Sequence, residues 1–426
     1  MTVFDELVKD YEIPRMLKVK QNFPRPVLDD IPQQVKKVLH ESGDLNKIEK
    51  GTRVAVTAGS RGIANIGLIT KEVIGVLKTA GASPFIIPAM GSHGGATSEG
   101  QTEVLESLAL SESDLGVPVK SSMEVVKIGT TDDNLPVYID KFAATEADAI
   151  VVINRIKPHT TFRGPYESGL AKMITIGLGK QVGADLCHAT GPENMSSRVE
   201  VIARHILKKT NLVFGVGILE NAYDETCDIV VLPGEEIMEK EPDLLHRAWQ
   251  NMPQIFSKDY DVLVVDEMGK DISGTGMDPN ILGRYTSDAL QDEDWVQRIV
   301  VLNLTERTHG NANGIGLADI CTQKAFDKMD FKKTYPNCLT TGIVLSVKTP
   351  MVMENDRQAI KAAIKTCFDI DINNVKLIRI KNTLDLDQIY ISEALLPEAR
   401  ESSLVEFSEQ EPLPFAFNDR GDLQGF

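Results

Sequence analysis

Two histidines stand just past runs that read as buried strands, His93 in IIPAMGSHGG (86–95) and His159 in IVVINRIKPHTTFRGPYESG (150–169). The whole chain has only 7 His among 426 residues. An imidazole with an unperturbed pKa of about 6.5 can give and take a proton near neutral pH, so two at strand ends make a prepared acid–base pair. Gly91, Gly94 and Gly95 surround His93 and let backbone and ligand approach closely. Pro158 fixes the backbone before His159, and Thr160, Thr161, Arg163, Tyr166, Glu167 and Ser168 follow it, a polar stretch expected to face substrate. Lys172 lies in GLAKMITIGLG among small and apolar residues, where desolvation would lower its pKa and free it for covalent or proton-transfer chemistry. His188, in DLCHATG, is a candidate metal ligand, but no HExxH, HxxxH or His/Cys spacing completes a cage around it. A metal there would need most of its ligands from elsewhere, such as a bound organic cofactor.

Three further post-strand loops are rich in glycine. AGSRGIAN (58–65) places Arg61 near a helix start, a reasonable anion clamp. GKDISGTGMDPNILGR (269–284) holds Lys270 and Arg284, either of which suits a carboxylate. LTERTHGNANGIGLAD (304–319), with His309, reads as polar scaffolding. No GxGxxG with a downstream acid and no GxxxxGK[ST] occurs, which argues against a standard dinucleotide site and a P-loop.

The elements that must position these loops alternate between apolar strands and amphipathic helices. TRVAVT (52–57), PFIIPAM (84–90) and ADAIVVINRI (147–156) read as strands, the last apolar throughout, as a strand covered on both faces should be. Ile66, Ile69, Val73, Ile74 and Leu77 recur at helical spacing after Asn65, a candidate N-cap. Ser98 and Gln101 give a capping-box pattern for the next helix. After YDVLVVDEMG (260–269), further strands are expected at RIVVLNL, TGIVLSV and VKLIRI, with a helix at DRQAIKAAIKTCF. The expected fold is α/β. Two domains, 1–260 and 261–426, carry mostly parallel sheets, with ligands beyond the strands' carboxyl ends and an active-site cleft between the domains. The tail after about Glu398 is expected to lie on the surface.

Composition narrows the function classes. The net charge is −17, from 45 Lys+Arg against 62 Asp+Glu. Such a field repels nucleic acid and anionic membrane, and an anionic small substrate would need a locally positive pocket. The five cysteines form no CxxC pair, and no signal peptide or membrane span is evident, so a reduced, cytoplasmic setting is expected.

VTAGSRGIAN, MGSHGGAT, IKPH, ESGLAKMITIG and the following His188 resemble, in order and approximate spacing, the nickel-pincer-dependent lactate racemase family of 2-hydroxyacid racemases and epimerases. The resemblance implies a nickel pincer nucleotide, a pyridinium-derived mononucleotide that holds nickel through sulfur and carbon. It would be tethered covalently to Lys172 through a thioamide, with His188 completing the metal's coordination and with Arg61, Ser60 and Gly169 beside the cofactor. His93 and His159 match the family's two acid–base histidines. Arg61, Thr160, Arg163, Tyr166, Lys270 and Arg284 are the residues expected to meet substrate. The implied partners are a small anionic 2-hydroxy acid and the proteins that make the cofactor. Two departures point away from lactate itself. Ala58 stands where the family's lactate racemases carry an aspartate three residues before the arginine, and their Tyr-Gln…Lys stretch falls near Leu282, Gly283 and Arg284 without a counterpart to the lysine. Another 2-hydroxy acid, such as a sugar acid of the aldonate type, fits better. Two rival classes are a Schiff-base lyase or aldolase using Lys172 and a non-catalytic sugar-acid-binding protein on the same fold.

Overall fold

A computed structural model describes residues 2–60, 62–287, 289–293, 295–408 and 411–426. Its strands are β1 (Met16–Gln21), β2 (Arg53–Ala58), β3 (Ser83–Pro88), β4 (Val125–Thr130), β5 (Pro136–Asp140), β6 (Ala149–Arg155), β7 (Leu212–Glu220) and β8 (Thr226–Pro233) in the first part of the chain. In the later part they are β9 (Tyr260–Val265), β10 (Val296–Val301), β11 (Ile320–Thr322), β12 (Met351–Met353), β13 (Leu377–Ile380), β14 (Gln388–Ser392) and β15 (Val405–Phe407). The chain forms two compact units, one of Pro24–Met252 and one that joins Met1–Phe23 to Pro253–Phe426. Among the described residues, no helix is long and apolar enough to cross a membrane.

In the unit of Pro24–Met252 the sheet runs β3-β2-β6-β7-β8, with β8 alone antiparallel to its neighbour. Strand periodicity sends alternate side chains to opposite faces. Ala55, Ile150, Val152, Phe85 and Ile87 join a core on one face with Leu170, Ala171, Met173, Ile174 and Leu178 and with the helices Met195–Lys209 and Ile237–Gln250. Val54, Val56, Val151, Ile153 and Ile86 join the other core with the helices Ile31–Ser42 and Ile66–Thr79. Both faces being covered accounts for the unbroken apolar strands. The chain leaves β2 toward β3 and leaves β6 toward β7, in opposite directions, so a crevice opens at the carboxyl ends of β2 and β6, where open α/β sheets bind ligands.

The other unit has an eight-stranded sheet in the order β12-β11-β10-β9-β13-β14-β1-β15. Strands β9 to β13 are parallel and the remaining three are antiparallel. This corrects the expected division at 260. Residues up to Phe23 belong with the later unit because β1 lies between β14 and β15, with Met16, Leu17 and Val19 buried. Two smaller expectations also fail. TGIVLSV contains the end of the helix Phe331–Thr341 and a 3₁₀ turn, Val344–Val347, rather than a strand, its β-branched run leaving Val344 exposed. The tail is not merely surface-lying: it contributes β15, pairs Leu413 with Met16 and Phe417 with Leu423, and gives Leu423 N–H to Asp356 at 2.9 Å.

The placement of β1 makes a measurable difference. Burial of Met16, Leu17 and Val19 is worth about 1.5–3 kcal/mol each, so deleting residues 1–22 should strip at least about 4 kcal/mol from the later unit alone. The two tryptophans, Trp249 and Trp295, fall one in each unit. Urea unfolding followed in Trp249→Phe and Trp295→Phe backgrounds should show the Trp295 transition moving to lower denaturant while the Trp249 transition stays.

Candidate active site

The loops that carry chemistry leave three adjacent parallel strands, β3, β2 and β6. After β6, Lys157 and Ser168 pair across the base of a loop, with Lys157 N–H to Ser168 O at 2.8 Å, and this lifts residues 158–167 off the sheet end. Inside that loop buried Glu167 accepts the His159 N–H at 2.6 Å and the Gly164 N–H at 3.3 Å. Burial pushes the Glu167 carboxyl above its ordinary pKa. The His159 ring stacks on Phe162 at 4.2 Å between centroids, and the Lys172 ammonium lies 5.6 Å from the centroid of that same ring. Burial, then the charge of Lys172, then that of His188 hold His159 well below the usual imidazole pKa. His188 is also lowered, first by burial and then by Lys172. Phe162 is therefore the partition around which His159 and Lys172 meet, with His188 close enough to feel the same charge.

Lys172 and His188 ride on one irregular helical stretch. Leu170–Lys172 is α-helical, Met173–Gly177 is π-helical, and Leu178–His188 is α-helical with a break at Lys180. His188, expected in a loop, is the last residue of that helix. π-Turns of this kind occur mostly as local insertions at functional sites. The first turn needs acceptors for its free N–H groups, and Glu241, 1% exposed on the helix Ile237–Gln250, accepts the Ala171 N–H at 2.8 Å. A Cβ on Gly169 would sit 2.1 Å from Glu241 Oε1, so residue 169 has room only for glycine. Asn154, near the end of β6, adds a bond from Nδ2 to Gly169 O at 2.8 Å.

His93 stands exposed on the loop after β3. Gly91 in that loop packs toward Ile176 and Ala184, so the loop rests on the stretch that carries Lys172 and His188. Gly94 has φ +66° and a Cβ there would meet Gly100 backbone at 2.6 Å, which excludes any other residue. Gln101 does not complete a capping box. The N-cap is Thr97, which accepts from Gly100 N–H, and buried Gln101 instead donates Nε2 to Gly91 O at 3.0 Å and to His93 O at 3.3 Å. Asn65 likewise makes no side-chain cap and donates Nδ2 to Thr226 Oγ1.

Hydrogen bonds fix the two imidazoles in opposite senses. His93 Nδ1 lies 2.8 Å from Met90 O, and a carbonyl only accepts, so Nδ1 carries the proton and Nε2 of the neutral ring carries the lone pair. His159 Nδ1 lies 3.1 Å from the Thr161 N–H, which only donates, so the proton of the neutral ring is on Nε2. One ring is set as an acceptor and the other as a donor.

Several residues expected to meet substrate are committed elsewhere. Tyr166 is buried, donates to Met238 O and receives Arg204 at 3.3 Å, so it is a core residue rather than part of a substrate-facing surface. Arg163 clamps its own loop through His159 O at 2.5 Å and Phe162 O at 3.0 Å and stacks on Trp249. Arg284 binds Asp319 at 2.6 Å together with Leu317, Val296 and Gln297 carbonyls, a staple within its own unit. Lys270 donates to Gly274 O at 2.9 Å. Thr160 and Ser60 are half-buried at the strand ends. Arg61 lies outside the described residues. Burial pushes the Cys187 thiol up to about 12, so it stays protonated beside His188. Among the described residues there is no cluster of three or more His, Cys, Asp or Glu side chains able to hold a metal ion.

Residues 12–198 match the family model of the lactate racemase N-terminal domain. That span contains His93, His159, Lys172 and His188, and over it the chain is similar to the lactate racemase family. The fold is shared with the lactate racemase apoprotein from Thermoanaerobacterium thermosaccharolyticum, at a TM-score of 0.53 and 16% sequence identity over 86% of this chain and 94% of that one. No curated protein sequence matches the chain.

Glu241 gives this site a signature in stability. Burial raises its carboxyl to about 7 from 4.5. The folded state then holds a proton that the unfolded state releases between those values, so stability is greatest below about pH 4.5 and falls as pH rises to 7. The loss is roughly 3 kcal/mol at about 1.4 kcal/mol per pKa unit. Glu241→Gln can still accept the Ala171 N–H but has nothing to titrate. Urea midpoints between pH 5 and 8 should therefore fall less in the variant than in the parent, and parallel slopes would contradict this account.

Proposed function

We propose that this protein is an isomerase that inverts C2 of a 2-hydroxy acid, with a nickel pincer nucleotide joined to the Lys172 amine and its metal held by His188. The observation that carries this reading is the meeting of the Lys172 amine and the His159 imidazole around Phe162, with the His188 ring near enough to feel the Lys172 charge. The donor set fits the group. A lone imidazole kept uncharged by its surroundings offers one lone pair to a metal, and the absence of a three-residue cage among the described residues suits a metal that arrives with its own sulfur and carbon donors. When bound, such a group supplies a reversible hydride acceptor.

The chain's own residues do the rest. His93 Nε2 takes the proton of the substrate hydroxyl, its Nδ1 proton held by Met90 O. His159 Nε2–H donates a hydrogen bond to the substrate and would act as the base for the opposite isomer, while the bound group would accept hydride from C2. Thr161 Oγ1, also 3.1 Å from His159 Nδ1, can donate or accept, which lets the His159 ring change tautomer when the opposite isomer requires a base there. Lys157 and Arg163 supply the local positive field around His159 that an anionic acid needs against a chain charge of −17. Thr160 and Thr161 offer hydroxyls to a polyhydroxylated substrate, which favours an aldonate-type acid over lactate.

Protein from a host that makes the cofactor should carry about one nickel per chain and a mass adduct that maps to Lys172, and Lys172→Ala should lose both. His93→Ala and His159→Ala should keep metal and adduct but lose at least about a hundredfold in C2 inversion of aldonates, the usual scale of a general acid or base. Because His188 is depressed, nickel should stay bound as pH falls through 6.5. A borohydride-trapped imine between Lys172 and a keto acid would replace this reading with a lyase or aldolase.

A further inference from the structure

Lys172 and His188 are 16 residues apart (188 − 172). On a straight α-helix they would lie about 24 Å apart along the axis and on nearly opposite sides, at 1.5 Å and about 100° per residue. They share one site only because the helical stretch does not run straight, and its break is at Lys180, where φ is 55° and ψ is −154°. That backbone region is essentially reserved for glycine. Gly177 and Gly179 flank the position, yet residue 180 is a lysine, so its side chain must compensate for a conformation that glycine would adopt freely.

The side chain is wholly enclosed. Lys180 Nζ lies 3.0 Å from Asp140 Oδ2, both side chains being 0% exposed, and also donates to Pro88 O. The Pro88 contact leads to the site. Pro88 is the last residue of β3, from which the His93 loop departs, and Asp140 ends β5 and caps the following helix through Ala143 N–H at 3.0 Å. The geometry points to Lys180 as a positioning residue for the active site: its ammonium pins the corner of the Lys172–His188 helix to the root of the His93 loop. It touches no reacting atom. A broken pin would let the loop bearing one acid–base histidine drift from the helix bearing the tether. The role assigned to His93 and His188 rests on the proposed function, but the pin itself can be read without turnover.

Lys180→Met alone would leave the Asp140 carboxylate buried and uncompensated, so the informative variant is Lys180→Met with Asp140→Asn, which removes both charges and keeps a cap on the helix. Hydrogen exchange on the folded protein, with imidazole Cε1–Hε1 resonances recorded alongside, is the measurement. The double variant should unfold at a urea midpoint near the parent's. The Ala89 and His93 amides, which donate to Ala58 O and Met90 O in the parent, should exchange at least tenfold faster, and the His93 and His188 resonances should shift. Asp140→Asn alone keeps the Lys180–Pro88 bond and, although it lowers the urea midpoint by leaving the Lys180 ammonium without its anion, should leave the exchange rates and resonances at parental values. In loaded enzyme, kcat should fall at least tenfold in the double variant with KM changed less. Parental exchange and resonances in the double variant, or equal loosening in Asp140→Asn, would show that Lys180 only neutralises Asp140. Loosening without any effect on nickel content or turnover would leave the pin standing and count against the proposed function instead.

Discussion

A carboxylate withdrawn from water must be answered by donors where it stands, and in the unit of Pro24–Met252 those donors belong to the backbone around the chemistry. Glu167 takes the N–H of His159 itself, Glu241 takes the N–H of the residue before Lys172, and Asp140 takes a helix N–H and faces Lys180. Each bond is stronger for being charge-assisted and desolvated, and each would be costly to leave unmade. The site is thus held from behind by three acids, none of which needs to touch a substrate. The price of this arrangement is visible in the acids that burial forces toward protonation, Glu167 and Glu241.

The electrostatics of the site act twice. Lys172, Lys157 and Arg163 help to keep His159 uncharged, and Lys172 does the same for His188. The same cations form a positive region in a chain that is strongly acidic overall. A field that preserves lone pairs on imidazoles would also draw in an anionic acid of the kind proposed as substrate. Under the proposed function, the opposite tautomers of His93 and His159 would divide acid from base without any difference in residue type.

Much of this was legible in the sequence. The strands of the first unit and the loops that follow them, which carry His93, His159 and Lys172, are local patterns, and local patterns survive translation into structure. What the sequence hid depends on partners far along the chain. Glu241 meets Ala171 across 70 residues and Lys180 meets Pro88 across 92, and nothing near either residue advertises the contact. Gln101 looked like a cap because its spacing from Ser98 is right, while its amide in fact serves the His93 loop. Tyr166 and Arg284 depart from expectation for the converse reason: their types suit a substrate, but a buried phenol and a guanidinium among carbonyls are satisfied by the fold. The first 23 residues gave no sign that their strand partners lie at the other end of the chain.

That last feature bears on how the protein is born. At a synthesis rate of about 5–20 residues per second, the strand that ends at Gln21 leaves the ribosome roughly 20–70 seconds before its neighbour β14 begins at Gln388. Everything needed for the five-stranded sheet emerges during that interval. Nascent chains should therefore carry a finished unit of Pro24–Met252 behind the half-apolar hexapeptide MLKVKQ, still without a partner. Its two lysines suit that wait, since charge on an unpaired strand discourages premature pairing with other chains.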